Sequence, residues 1–422
     1  MGYAKCVARA AGVWSGRPGR IGWVWPALAL LVAVSLFPAA AAAAGKKKGG
    51  DPAGAPVQKP KRHKARPFKV GGALRLQYVF RDWNPDSRNQ GGTLDFDTFR
   101  LNVDGRYKGI ILSAEYRFYD GWNALKSGWM GYDFTPAWQG RFGLLRIPFG
   151  ILPYASHSYF FSSNYYLGLE DTYEAGVKML RKAPGSPWDL RVAFFKNAGF
   201  GLYGHGDPGR YSFNAVTASS TARGGDPGQQ NAGDNMLAGR VAYTFGGAGD
   251  TTEVGVSVLA GQLYNYATRE NGSRRAVGVH VNGNYGRWNV MAELLRYAYH
   301  PRDPAGVDDN VIQLGAYDHY YPIPASADSA VFNLAYTLPV HWGPVSSLKF
   351  YNDYTEVFRK QGGFPVTRMN ILGTGIKAGK VYVYVDLVTA QNQPFIGGLI
   401  APGPTSDRSW NTRFNVNVGY YF

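Results

Sequence analysis

Residues 409–422 read SWNTRFNVNVGYYF, and this segment decides the class of fold. From Trp410 to Phe422 every second side chain is apolar or aromatic, with one threonine among them, and the side chains between are mostly polar. Successive side chains of a β-strand point to opposite faces of its sheet, so this alternation predicts a strand with one apolar and one polar face. Soluble β-sandwiches and membrane barrels both contain such strands, and the rest of the chain separates the two.

The same alternation recurs throughout the chain after residue 68. No stretch of about 18 consecutive apolar residues occurs there, so no membrane-spanning helix is predicted in that part. We predict about sixteen strands, which cover residues 69–81, 95–106, 109–119, 125–135, 138–148, 173–182, 187–197, 236–246, 251–264, 274–284, 287–298, 329–339, 345–358, 367–377, 380–391 and 409–422.

The lengths of the connections favour a membrane barrel over a soluble sandwich. Every second connection is short, for example at 107–108, 136–137 and 378–380. The intervening connections are mostly long, and they include residues 149–172, 198–235, 299–328 and 392–408. Short turns at one end and long loops at the other are typical of outer-membrane β-barrels. We therefore predict an all-β fold, a transmembrane antiparallel β-barrel over residues 68–422.

The properties of a lipid bilayer explain this prediction. Lipid cannot hydrogen-bond to the backbone, so a membrane sheet must close on itself, with its polar face lining a water-filled lumen and its apolar face against outer-membrane lipids. An even strand number places both ends of the barrel on the periplasmic side. A terminal aromatic residue, here Phe422, is typical of barrels that the bacterial barrel-assembly machinery inserts.

The N-terminal segments carry most of the formal net charge of +16. Residues 1–44 have a basic head, an apolar middle and an alanine tract, which predicts a cleaved signal peptide that removes Cys6 and so excludes thiol chemistry in the mature chain. Residues 45–67 are predicted to form a basic, flexible periplasmic tail. These segments contribute +4 and +7, which leaves +5 for residues 68–422. A nucleic-acid partner is therefore not predicted.

No pattern in the sequence indicates an enzyme or a cofactor. The glycines at 199, 201 and 204 have dinucleotide-binding spacing, but no helix is predicted after them. The histidines lack metal-ligand spacing, and no nucleophile-elbow motif occurs. We predict no catalytic residues, no cofactor and no metal, and we keep a barrel enzyme as a remote alternative.

Basic side chains recur on the polar faces of the predicted strands, where they would line the lumen. The predicted pore-lining and anion-binding set is Arg75, Arg100, Arg117, Arg141, Arg146, Arg191 and Arg240, with Arg81 and Arg274 among further lumen cations. The alternation near Arg141 and Arg146 fits either face. The alternative is local pairing with lumen acids, namely Asp104, Glu115, Glu174, Asp189, Glu253, Glu293 and Asp353.

Three segments resemble the phosphate-selective porin O/P family. They are RFGLLRIPFGILPYASHSYFFSS at 141–163, which contains a P-F-G motif, DTFRLNVDGRYKGIILSAEYRFYD at 97–120, and GWMGYDFTPAWQGRFG at 128–143. The resemblance implies a sixteen-stranded barrel that is usually a homotrimer, with its third outer loop folded inward. In phosphate-specific members, lysines near the constriction and a ladder of lumen arginines conduct the anion.

The predicted third outer loop, 149–172, departs from the phosphate-specific pattern because it contains no lysine or arginine. Its predicted constriction residues are Tyr154, His157, Tyr159, Tyr165 and Tyr166. We expect a bacterial outer-membrane porin for passive diffusion of small hydrophilic solutes, with a preference for phosphate or other anions. A carbohydrate-type or broad-solute porin is the alternative, because aromatic rings stack on sugars.

Overall fold

The computed structural model describes residues 68–199, 208–247, 249–403 and 408–422. Sixteen antiparallel strands form a closed barrel in this part of the chain. Each barrel strand pairs with the preceding and the following barrel strand, and the last barrel strand pairs with the first. The predicted signal peptide and the predicted basic tail lie outside the described residues, and so do Gly201 and Gly204.

The structure confirms all sixteen predicted strands. They are β1 (Phe68–Arg81), β2 (Thr93–Tyr107), β3 (Ile110–Phe118), β4 (Asn123–Asp133), β5 (Trp138–Arg146), β6 (Tyr173–Arg181), β7 (Trp188–Asn197), β9 (Asn231–Gly246), β10 (Asp250–Asn265), β11 (Asn271–Tyr285), β12 (Trp288–His300), β15 (Ser326–Trp342), β16 (Val345–Phe358), β17 (Thr367–Ala378), β18 (Val381–Gln391) and β19 (Trp410–Tyr421).

Two of the predicted long loops contain strands that the sequence did not predict. These strands are β8 (Asn214–Ala215), β13 (Val311–Ala316) and β14 (His319–Pro324), and they form a separate sheet in the order β14–β13–β8. The side chains of Ile312 and Leu314 are fully buried. The small sheet therefore joins the β7–β9 loop to the β12–β15 loop and gives both a packed core.

Helices are few and short in the described residues. Two α-helices occur, α1 (Pro85–Gln90) and α2 (Ser163–Tyr166), together with 3-10 turns at 222–224 and 361–363. None of the described helices is long and apolar enough to span a membrane.

The end of the chain closes the barrel. Strand β19 pairs antiparallel with β1 from Arg81 opposite Arg413 to Ala73 opposite Tyr421. Beyond it, the backbone N–H groups of Gly72 and Phe422 each donate to the other residue's carbonyl oxygen at 3.1 Å. Because a closed sheet has no free edge, every strand can satisfy its backbone groups without water.

The outer surface of the barrel is apolar, with aromatic rings gathered near the short turns. Aliphatic side chains such as Val70, Leu76 and Leu372 are exposed along the strands. The exposed aromatic residues beside the short turns are Tyr107, Phe134, Trp188, Phe245, Trp288, Trp342 and Phe422. This is the aromatic girdle expected where a barrel meets one membrane interface.

Candidate functional site

The segment between β5 and β6, residues 147–172, folds into the lumen and is called the constriction loop below. Near the start of this loop, Gly150 has a φ of 64°, and a Cβ atom added to it would lie 2.5 Å from Glu293 Oε2. Glycine is required there because other residues rarely adopt this conformation and have no room. The N–H of Gly150 donates to Ser257 Oγ at 3.0 Å, and that of Ile151 donates to Glu293 Oε2 at 2.9 Å.

Asp353 anchors the middle of the constriction loop to β16. Its carboxylate accepts from the backbone N–H groups of His157 and Ser158, at 2.7 and 2.8 Å, and lies 2.7 Å from His157 Nδ1. In the strand order, β16 is eight positions from β5 in a ring of sixteen. The loop therefore crosses from one wall of the barrel to the wall opposite.

Further polar contacts hold the loop between β12 and β16. The Asn164 amide in α2 donates to Glu293 Oε1 at 3.1 Å and accepts from Ser329 Oγ at 2.6 Å. The Ser163 hydroxyl lies 2.6 Å from Thr355 Oγ1. Each of these loop side chains is fully buried. The loop therefore docks on the wall of the barrel at β10, β12, β15 and β16.

A cavity of about 510 Å³ remains on the other side of the constriction loop, next to β1, β2, β3 and β19. Its lining extends along β1 from Arg75 to Arg81. Six residues of strand span roughly 20 Å, so the lining of the cavity extends about that far along β1. This cavity is the candidate solute passage.

The charged side chains in the cavity wall are mostly arginines. Among the residues that the structure describes, its lining contains five arginines, Arg75, Arg81, Arg100, Arg117 and Arg413, against the two acids Asp97 and Asp120. Asp97 is the residue left over at a β-bulge, where Arg75 pairs with Thr98 and the next residue of β1 pairs with Phe96. Its carboxylate lies 2.7 Å from Arg75 Nε. The passage wall therefore carries a surplus of positive charge.

All five predicted constriction residues line this passage. The Tyr159 hydroxyl donates to Asp97 at 2.7 Å, and the hydroxyl of Tyr165 lies 2.6 Å from that of Tyr317. Tyr166 donates to the Phe160 carbonyl at 2.9 Å. Tyr154, His157 and the remaining aromatic side chains complete a wall in which rings outnumber charged groups.

The predicted lumen arginines divide into two groups. Arg75, Arg100 and Arg117 line the passage, whereas Arg141, Arg146, Arg191 and Arg240 lie outside its lining. Arg141 stacks on Trp129, with its guanidinium carbon 4.0 Å from the ring centre. The ion pairs on the lumen side include Arg75–Asp97, Arg100–Glu115, Arg117–Glu115, Arg146–Asp171, Arg191–Asp189, Arg240–Glu253 and Arg274–Glu174.

These pairs correspond in large part to the alternative of local pairing. Arg240 is only 1% exposed, and besides Glu253 its Nε donates to the Gly150 carbonyl at 2.8 Å. Its guanidinium holds the base of the constriction loop, away from open space. Two of the lumen acids named in that alternative, Glu293 and Asp353, contact the loop backbone instead.

Several passage residues come from loops that alternation cannot place. Tyr211 and Phe213 come from the β7–β9 loop, Tyr317 from the turn between β13 and β14, and Phe395 from the β18–β19 loop. The sequence placed Arg413 on a polar face, but only the register of β1 with β19 shows that it lies opposite Arg81. No group of three His, Cys, Asp or Glu residues that could hold a metal ion occurs in the part of the chain that the structure describes.

Solved structures with a similar fold are bacterial porins. The anion-selective porin from Comamonas acidovorans is 11% identical, with a TM-score of 0.52, and covers 84% of this chain and 99% of its own. In vitro folded OmpT of Vibrio cholerae in its trimer form is 17% identical, with a TM-score of 0.50 and the same coverage. OmpF of Salmonella typhi, in complex with daunomycin, is 10% identical, with a TM-score of 0.54, and covers 84% and 97%.

The likeness to these structures is one of fold. No protein-family model matches the chain, and no curated protein matches it. The sixteen-stranded barrel and the inward third outer loop agree with the resemblance found in the sequence. Membership of the phosphate-selective porin O/P family stays a prediction.

Proposed function

We propose that the chain is a bacterial outer-membrane porin through which small hydrophilic solutes diffuse passively, with a preference for anions. The observation that carries the proposal is the passage beside the constriction loop, whose wall has five arginines against two aspartates. A closed barrel of sixteen strands leaves a water-filled lumen, and its apolar outer surface suits lipid.

The charge surplus supports the anion preference. Guanidinium groups attract anions and donate forked hydrogen bonds to carboxylate or phosphate. The arginines that pair with an acid outnumber their acidic partners, because Arg100 and Arg117 both contact Glu115. A structure of the same fold is described as an anion-selective porin. Phosphate is one candidate among the anions, since the constriction loop itself contributes only aromatic and neutral polar groups to the passage.

A carbohydrate-type porin is the second candidate, and the aromatic lining favours it. Tyr119 and Trp122 stack face to face, with ring centres 4.1 Å apart, at the outer end of the passage. Flat ring surfaces bind the apolar faces of sugars. In this case the arginines would set the electrostatic potential of the passage without selecting its main solute.

Permeation through liposomes separates these functions. Proteoliposomes in an isotonic solution of a neutral monosaccharide should swell, and swelling should slow steeply as the solute grows from monosaccharide to trisaccharide. In a planar bilayer, millimolar maltooligosaccharides should leave the KCl current unchanged if the channel is of the anion type, and block it if it is of the carbohydrate type. Absence of both swelling and conductance would contradict a porin.

The assembly that we propose is a homotrimer, in line with the trimer form of the OmpT structure and with the resemblance found in the sequence. We also propose that the barrel-assembly machinery recognises the terminal strand with Phe422. The Phe422 ring packs against Phe99 where the last strand meets the first, with ring centres 6.4 Å apart. Recognition of the terminal strand would therefore coincide with closure of the barrel.

A further inference from the structure

Two arginines in the passage wall have no acidic partner. Arg81 and Arg413 face each other directly across β1 and β19, and both line the passage. In the described ranges, no carboxylate oxygen lies within the 4.0 Å limit of an ion pair from either guanidinium. Like charges at directly opposite positions of a sheet destabilise each other. An anion bound between the two guanidinium groups would therefore reduce their mutual repulsion.

Arg413 is built into the wall rather than free to turn away. It is 7% exposed, and its terminal nitrogen donates to Asn415 Oδ1 at 3.0 Å and to Gln77 Oε1 at 3.4 Å. Its guanidinium carbon lies 4.7 Å from the centre of the Phe160 ring. Its Nε is buried and has no hydrogen-bond partner among the residues that the structure describes. A guanidinium held in place by these contacts in the lining of the passage is a preformed half of an anion site.

Exposed ring surface lies next to this pair. Asn411, two residues before Arg413, donates to the carbonyl of Ile396 at 2.9 Å, which brings the β18–β19 loop against the outer ends of β1 and β19. Phe395 in this loop lines the passage and remains 38% exposed. It packs against Tyr166, with ring centres 5.8 Å apart. Phe395 thus offers an exposed apolar face beside two uncompensated cations, while the buried Phe160 ring supports Arg413 from behind.

We infer that this place is a binding site for aromatic carboxylates, with the carboxylate between Arg81 and Arg413 and the ring against the aromatic wall. The inference rests on the proposed porin function and names the solute class that the passage favours. A simple inorganic anion would use only the arginines, and a neutral sugar would use only the rings. An aromatic carboxylate uses both, since a carboxylate accepts forked bonds from guanidinium and aromatic rings attract each other in offset or edge contacts.

The test is current block by benzoate in a planar bilayer that contains the full-length protein in KCl. Acetate has the same carboxylate without a ring, benzyl alcohol has the ring without the charge, and inorganic phosphate is an anion without a ring. We expect benzoate to block at roughly tenfold lower concentration than acetate or phosphate, the size expected for one added aromatic contact, and benzyl alcohol to leave the current unchanged.

Variants assign the block to this site. Arg413→Gln is expected to raise the benzoate concentration for half block about tenfold, as for one lost charge-assisted hydrogen bond. Arg81→Gln should act in the same direction and serves as the second variant if the buried substitution impairs assembly. Phe395→Ala should weaken block by benzoate but not by acetate. The matched control is Arg191→Gln, a lumen arginine outside the passage lining.

The outcomes separate failure of this site from failure of the proposed function. A protein that gives no KCl conductance contradicts the porin itself. A conducting protein that responds equally to benzoate, acetate and phosphate overturns the aromatic part of the inference. Equal effects of Arg413→Gln and Arg191→Gln overturn the location of the site.

Discussion

Replacing Asp353 with alanine is expected to enlarge the channel and make its current unsteady. The Asp353 carboxylate is 1% exposed and accepts from two backbone N–H groups of the constriction loop while it contacts the His157 ring. Alanine cannot accept these hydrogen bonds, so the two N–H groups and the His157 ring lose their partner on β16, which lies opposite β5, where the loop begins. The loop should then leave its docked position for part of the time, which opens space for solutes between the loop and this wall.

The size of the effect follows from the number of hydrogen bonds that are lost. A hydrogen bond to a charged group contributes about 1.5–3 kcal/mol, so the loss of two such bonds shifts the docked–undocked equilibrium by roughly a hundredfold or more. Contacts of the loop with Glu293 and Thr355 remain, so the barrel itself should assemble normally.

Single-channel recording and liposome swelling measure this change. Asp353→Ala should raise the mean conductance, add rapid fluctuations and admit trisaccharides that the parent excludes. Asp353→Asn, which keeps an acceptor oxygen, should fall between the two. Asp104→Asn is the control, because Asp104 bonds to Ser113 on the neighbouring strand at 2.7 Å and has no contact with the loop. Unchanged conductance and size limit in Asp353→Ala would contradict a docked constriction loop.

The second large effect is expected from removing two positive charges from the passage wall. The double variant Arg75→Gln, Arg100→Gln leaves three arginines against two aspartates and removes the ion-pair partner of Asp97. One unit charge about 4 Å away in water-like surroundings contributes about 1 kcal/mol, which corresponds to roughly a fivefold change in the local concentration of an anion and an opposite change of the same size for a cation. Two such charges should bring the ratio close to one or reverse it.

The matched control for this variant removes the same number of charges elsewhere in the lumen. Arg141→Gln, Arg191→Gln alters two of the predicted lumen arginines that lie outside the passage lining. Its permeability ratio should change much less, as seen from reversal potentials at low ionic strength, where screening is weak. If both double variants change the ratio equally, the selectivity belongs to the whole lumen and not to this passage.

The strands were predictable because each carries its own signal. In β19 the apolar and polar residues alternate over the whole strand, and lipid on one side and water on the other enforce that pattern. The short strands β8, β13 and β14 lack it. In β14 (HYYPIP) four of the six residues are buried, on both faces of the strand, so polar and apolar residues do not alternate. Its two prolines also argue against a strand.

The candidate site was predictable only where the alternation of side chains between the two faces of a strand decides which residues face the lumen. Alternation predicts that Arg75, Arg100 and Arg117 face the lumen, but it gives a face and not a partner. It could not show that Asp353 holds the loop backbone or that Arg240 supports the loop at Gly150, because these contacts join residues about 90 to 200 positions apart. The bulge at Asp97 also changes the local register, which no periodic pattern foresees.

The reversal potential of the unmodified protein in a planar bilayer, under a tenfold KCl gradient, tests the central claim most directly. K⁺ and Cl⁻ have nearly equal mobilities in water, so the sign of the potential reports the charge preference of the passage wall. The surplus of arginines over aspartates predicts a potential with the sign of chloride selectivity, which becomes smaller as salt concentration rises. A potential with the sign of potassium selectivity would contradict this account.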